Sequence, residues 1–199
     1  MCTPRAAFLS FSLALLPLPA AAATPVAVQV LGPDGRPLAG AVVTVTLPGT
    51  PTPAPRGPYA MAQRNIAFEP HVLIVPVGAT VTFPNFDKVR HHVYSFSAPK
   101  KFELKLFGRE ESRSITFDKP GAVALGCNIH DAMNGVVFVT ASPYTAQTGA
   151  DGRARMGLAR GGTGTITIWH PSIRTAGNVR WQAVSVPAAG LATTVQLRR

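Results

Sequence analysis

The chain has 199 residues, 46% of them hydrophobic and only 14% charged, with a formal net charge of +10. That hydrophobic content supports a packed core and excludes wholesale disorder, and the length holds one large domain or two small ones. The 18 glycines and 19 prolines, recurring Val/Thr/Ile alternation and the lack of any long run at helical spacing predict an all-β chain rich in turns.

At the N-terminus, Arg5, an apolar run over residues 6–18 and the small residues Pro19-Ala20-Ala21-Ala22-Ala23 read as an export signal over residues 1–23. Cleavage near Ala23 predicts a mature protein in the periplasm or otherwise exported. The apolar run is too short to span a bilayer, and no later stretch is long enough. Cys2 precedes the apolar run and leaves with the signal, so Cys127 is the one cysteine of the mature chain. An unpaired thiol in an oxidising compartment calls for a chemical role.

Residues 26–31 then read as a strand, Pro33-Asp34-Gly35-Arg36-Pro37 as a turn, residues 41–47 as a second strand and the proline-rich residues 48–58 as an extended linker. Strands are predicted next over 66–68, 72–75, 80–83, 92–96, 114–117, 122–125 and 136–139. Turns fall at Pro76-Val77-Gly78, Pro84-Asn85-Phe86-Asp87 and Lys119-Pro120-Gly121. Short strands punctuated this way predict a β-sandwich. After the turn Thr148-Gly149-Ala150-Asp151-Gly152, further strands are predicted over 154–158, 164–169 and 195–197. Lys88, Arg90, Lys100, Lys101, Lys105, Arg109, Arg113 and Lys119 crowd the middle segment. Such a surface serves solubility or steers acidic proteins and anionic membranes. Nucleic acid is a poor partner for an exported chain without base-stacking motifs.

The strongest chemical signal is Gly126-Cys127-Asn128-Ile129-His130-Asp131-Ala132-Met133, a thiolate, an imidazole and a thioether on one loop between two strands. Upstream, His91-His92-Val93 stands where a turn enters a strand. Neighbours on a strand point to opposite faces, so only one of His91 and His92 can join the loop. Two histidines and a cysteinate with a weak axial methionine are the donor set of a blue-copper electron-transfer site. His71 and His170 read as a surface and a structural residue, Glu103 as a solvated carboxylate, and Phe96, Phe102 and Phe107 as core. Asn85 is placed to hydrogen-bond across to the Cys127 loop.

The middle segment resembles the cupredoxins, the plastocyanin and amicyanin family, and the bacterial methylamine-utilisation or plastocyanin-like proteins. The resemblance rests on the Pro70 to Gly78 opening, the Thr80-Val81-Thr82-Phe83 strand followed by Asn85, the His-x-Val triplet and the short Cys-x-x-His-x-x-Met loop. It implies a Greek-key β-sandwich holding one mononuclear copper through His91, Cys127, His130 and Met133, with His91 preferred over His92 and His130 at the electron-transfer edge. The stretch Val30 to Val45 resembles the opening of carboxypeptidase-regulatory-like β-sandwich domains. The matching second piece, at Thr148 to Gly152, comes a whole domain later. The expected organisation is therefore a signal over 1–23, a flanking sandwich split between 24–55 and 145–199, and a cupredoxin domain over 56–144 inserted in it or packed beside it.

The resemblance implies a one-electron carrier whose partner is a redox protein, a cytochrome or a dehydrogenase with an acidic surface, docking near His130. Copper delivery and a structural or adhesion module are the competing readings. An enzyme is not expected, because four protein donors leave no open coordination position and no Ser/His/Asp spacing or phosphate-cradling glycine loop is present.

Overall fold

The computed structural model describes residues 22–198, so the predicted export signal falls almost wholly outside the described residues. In chain order the strands are β1 (Thr24–Leu31), β2 (Val42–Thr46), β3 (Tyr59–Ala60), β4 (Ala62–Arg64), β5 (Ala67–Glu69) and β6 (Val72–Pro76). There follow β7 (Ala79–Pro84), β8 (His91–Ser95), β9 (Phe102–Phe107), β10 (Ser112–Phe117), β11 (Gly121–Gly126) and β12 (Asn134–Thr140). The last are β13 (Thr145–Gln147), β14 (Arg153–Leu158), β15 (Gly162–Trp169), β16 (Val179–Val186) and β17 (Leu191–Gln196). Among the described residues the only helix is a short 3₁₀ turn, Ala176–Asn178, and no helix is long and apolar enough to cross a membrane. The protein is all-β, with two separate sandwich cores.

The middle core lies between a five-stranded sheet of order β6-β12-β11-β8-β9 and a three-stranded sheet of order β10-β7-β3. Period-two patterning builds it. Ala79, Val81 and Phe83 of β7 point inward, while Thr80 turns outward and meets Thr116 across the ladder at 2.8 Å. The inward set joins Phe107, Phe117, Val93, Val123, Leu125 and Val137 in one cluster. Each such side chain contributes roughly 1.5–3 kcal/mol on burial. Strand β12 reads Val136-Val137-Phe138-Val139 without alternation because both of its faces are covered.

The second core draws on both ends of the chain. Sheets of order β14-β1-β17 and β13-β2-β15-β16 enclose Val26, Val28, Val43, Val45, Ile166, Ile168 and Val195. Asp34-Gly35-Arg36 and Asp151-Gly152-Arg153 form matching turns, in which each aspartate side chain accepts from the backbone N–H of the arginine two residues on. Gly152, at φ 70°, lies so close to the first turn that a Cβ would stand 2.7 Å from the Val30 carbonyl oxygen. No other residue type fits there. Thr148 ties the two stretches together: its hydroxyl accepts from Ala41 N–H and donates to the Leu38 carbonyl. The two sandwiches meet at Val42 and Trp169 on one side and Val136 and Phe138 on the other, with the Phe138 and Trp169 rings 5.7 Å apart.

Candidate metal centre

Two loops at one end of the middle sandwich converge. The first joins β7 to β8 and is pinned by Asn85, which is fully buried. The Asn85 side chain donates to the carbonyls of Val89 and Phe107, and its oxygen accepts from Asp87 N–H. Asn85 was expected to reach the Cys127 loop. Its bonds run instead within its own loop and to β9, because its amide is consumed in closing the turn that carries Asp87.

Asp87 in turn fixes His91. Its carboxylate accepts from the backbone N–H groups of Asn65 and Ile66, at 2.6 and 2.9 Å, and from His91 Nε2 at 2.7 Å. Burial pushes the Asp87 carboxyl up. The amide of Ile66, the His91 ring and the amide of Asn65 outweigh it and hold the group below its ordinary value. In a neutral imidazole, a carboxylate acceptor at Nε2 favours the tautomer with the proton there and the lone pair on Nδ1. His91 is fully buried, and its Nδ1 has no hydrogen-bond partner.

The second loop follows β11. Val123, Leu125 and Cys127 alternate inward, so the thiol enters the core and is 4% exposed. A turn closed by Met133 N–H on the His130 carbonyl folds the loop back and sends Met133 into the same cluster, 1% exposed. His130 stays partly exposed. Its Nδ1 lies 3.7 Å from Cys127 Sγ, and its ring is 4.9 Å from that of His91, at 61°. One donor atom each from His91, Cys127 and His130 lies within 4.8 Å of the others. A thiol and two imidazoles, one of them with an unpartnered buried nitrogen, suit a thiophilic ion such as copper or zinc.

His92 takes no part in this group. It lies on the other face of β8, where its Nε2 meets Glu103 at 2.9 Å, and Glu103 in turn accepts from Lys105 at 2.8 Å. Lys105 first and then His92 hold the Glu103 carboxyl below its ordinary value. The β8–β9 register shifts between His91 and Val93, and both histidines are buried. Glu103 is thus a partner of His92 and no part of the cluster. His71 is exposed, and His170 pairs with Ser172 in a surface turn. Phe107 is core, as expected, but Phe96 is not: it is 79% exposed. It directly follows the last residue of β8, on the sheet's outer face, which the second sandwich does not cover at that point.

No family model matches the chain, and no curated protein does. Over 49% of its length the chain is similar to a copper-containing nitrite reductase from Thermus scotoductus, at 30% identity and a TM-score of 0.41. It spans 25% of that protein. It is similar over 49% of its length to a reduced Cu(I) form of an amicyanin mutant, at 24% identity and a TM-score of 0.40, spanning 98% of that chain. A purple cupredoxin from Nitrosopumilus maritimus is similar over 41% of this chain and 96% of its own, at 25% identity and a TM-score of 0.37.

Nothing in the local sequence marks the role of Asp87 toward His91 directly. A carboxylate in Pro84-Asn85-Phe86-Asp87 reads as a turn former. The signal that it also meets a histidine was its spacing, four residues before His91.

Proposed function

We propose that the protein is an exported one-electron carrier or relay, with a single copper that His91, Cys127, His130 and Met133 would hold. The observation that carries this reading is the buried, unpartnered Nδ1 of His91 beside the Cys127 thiol and the His130 ring. These residues would give a bound copper one-electron cycling, since Cu(I) favours sulfur donors and Cu(II) accepts imidazoles.

The protein's own part is to hold the donors still. Asp87 keeps the His91 proton on Nε2, and Asn85 and the Met133–His130 turn fix the loops, so little moves when an electron passes. Phe86, Val89 and Ile129 are exposed apolar residues on the two loops, and Lys88 and Arg90 stand beside them. That combination fits a redox protein, a cytochrome or a dehydrogenase, with an acidic contact surface docking near His130. Four protein donors leave no position for a substrate, so the reading excludes an enzyme. The same proposal takes residues 56–144 as a cupredoxin domain inserted into a carboxypeptidase-regulatory-like sandwich formed by 24–55 and 145–199.

The test is the visible absorption spectrum after addition of one equivalent of copper(II), repeated for Cys127→Ser. An intense copper–thiolate band that disappears in the variant is the expected result. A colourless, exchangeable copper(I) form moves the weight to copper delivery. Full function in the Cys127→Ser protein removes the metal from the account altogether.

A further inference from the structure

The second sandwich has an open side, where β16, the last strand of one sheet, faces β17, the last strand of the other. Between them lies a cleft of about 540 Å³, with Pro33 of the first turn beside it. The core residues Val195 and Leu197 line it from within, and Arg180, Gln182, Thr194, Gln196 and Arg198 supply its polar groups. The fold uses none of these five side chains, for none forms a hydrogen bond or ion pair with another described residue. Comparable groups elsewhere in the same sandwich are consumed: Gln29 donates to the Asp151 carbonyl, Gln147 to that of Gly40 and Arg160 to that of Pro48. The side-chain carboxylates of this sandwich are Asp34 and Asp151, and each meets an arginine outside the cleft, Arg36 at 3.8 Å and Arg155 at 3.0 Å. No carboxylate side chain lines the cleft, so its two guanidinium charges stand uncompensated among the described residues.

We propose that this cleft binds a phosphate ester, whose oxygens are taken by the guanidinium groups of Arg180 and Arg198 and by the amides of Gln182 and Gln196. The donors decide the class of ligand. A guanidinium presents a planar fork that matches oxyanions two bonds at a time, and each carboxamide and the Thr194 hydroxyl add further donors. That is more than the two oxygens of a carboxylate can accept, whereas a phosphate ester offers three strong acceptor oxygens. The apolar floor of Val195, Leu197 and Pro33 suits the carbon part of the ester and lowers the local dielectric, which strengthens the charge pairing. The chemistry is shared by a soluble phosphate ester and by the phosphate of an anionic lipid headgroup at a membrane surface. This site is independent of the copper reading, because it lies wholly in the second sandwich and uses none of the metal-centre residues.

The experiment adds glycerol 3-phosphate to the protein and follows the arginine and glutamine side-chain signals by NMR, with sodium acetate at equal ionic strength as the comparison. Saturable shifts confined to Arg180, Gln182, Gln196 and Arg198 are expected, and acetate is expected to bind more weakly. Arg180→Gln is expected to weaken glycerol 3-phosphate binding by about tenfold. Arg180→Lys, which keeps the charge and loses the fork, is expected to weaken it several-fold. Arg153→Gln is the control: it removes an arginine without an ion-pair partner from β14, at the opposite edge of the sheet from β17, and is expected to leave binding unchanged. A second arm sediments the protein with phosphatidylglycerol vesicles. Retention that Arg180→Gln abolishes and Arg153→Gln does not assigns the site to a lipid headgroup, and binding of glycerol 3-phosphate without retention assigns it to a soluble ester. Absence of saturable shifts overturns the proposal. Equal losses in Arg180→Gln and Arg153→Gln overturn it too, since net charge alone would then account for the binding.

Discussion

At the scale of single residues, the His91–Cys127–His130 cluster depends on a carboxylate outside it. Asp87 accepts three hydrogen bonds, from Asn65, Ile66 and His91. Asp87→Ala leaves two amide donors unpaired and frees the His91 ring. A loss of about 1–3 kcal/mol in the metal-free protein is expected, measured by urea unfolding. On the copper reading, affinity falls by roughly 10- to 100-fold as well, measured by competition with a copper(I) chelator. Asp151 offers a pH-dependent counterpart away from the centre. The Arg153 amide first and then the Arg155 guanidinium hold its carboxyl below the ordinary value. A group so depressed in the fold stabilises it above the unfolded value, about 3.9, and that contribution is lost as pH falls through the lower folded value. Carboxyl-carbon NMR titration of Asp151 is expected to show a midpoint below the ordinary aspartate value of about 3.9, and a midpoint at or above that value contradicts the assignment. Residue chemistry was legible in the sequence where it was compact: Cys127, His130 and Met133 share seven positions of one loop. It was not legible where a side chain had two duties. Asn85 and Asp87 look like turn formers and are, yet they also carry the hydrogen bonds that orient His91.

At the scale of elements, the β4–β5 hairpin contains the least expected backbone. Its turn residues Asn65 and Ile66 have φ of 54° and 56°, a left-handed pair suited to asparagine or glycine and poorly suited to a β-branched side chain. Their N–H groups face Asp87, so the strained turn is held by its bonds to the β7–β8 loop. Ile66→Gly creates an Asn-Gly turn and is expected to raise stability by about 1 kcal/mol in denaturant melts. A fall in stability would show that the half-exposed Ile66 side chain contributes more by packing than its backbone costs. The strands that the sequence predicted are those with clean alternation, such as Thr80-Val81-Thr82-Phe83, or with a buried run, such as Val136 to Val139. Those it missed sit at the edges. Strand β9 alternates Phe102 and Leu104 with Glu103 and Lys105, and its charges read as a loop; β16 carries Arg180, Gln182 and a Trp181 that is 69% exposed. An edge strand has one neighbour and half-covered faces, so its sequence need not declare itself. Phe96 was misjudged for a related reason: hydrophobicity reports a preference for burial, and the decision belongs to the neighbouring sheet.

At the scale of the whole molecule, two cores share one small seam. Trp169 is 4% exposed and lies on that seam against Phe138. Trp169→Ala is expected to cost roughly 3–5 kcal/mol and to split thermal unfolding into two calorimetric transitions, one for each core. A single sharp transition at lower temperature would mean that the cores fold as one unit regardless of the seam. The two connections into the middle sandwich run side by side: Val45 N–H bonds the Tyr144 carbonyl, Ser142 Oγ donates to the Val45 carbonyl, and β2 pairs with β13. The outer sandwich is closed by β1 and β17, which lie parallel and in register from Val26 beside Leu191 to Leu31 beside Gln196. That last arrangement has a mechanical consequence. Tension applied between Thr24 and Gln196 pulls along the β1–β17 ladder, so its hydrogen bonds are loaded in shear, all together, and cannot open one after another like a zip. The middle sandwich is spliced between β2 and β13, strands that are clamped to each other, and it carries none of that load until the outer ladder has parted. A stretched molecule would therefore keep its His91–Cys127–His130 geometry up to the force at which the flanking sandwich yields.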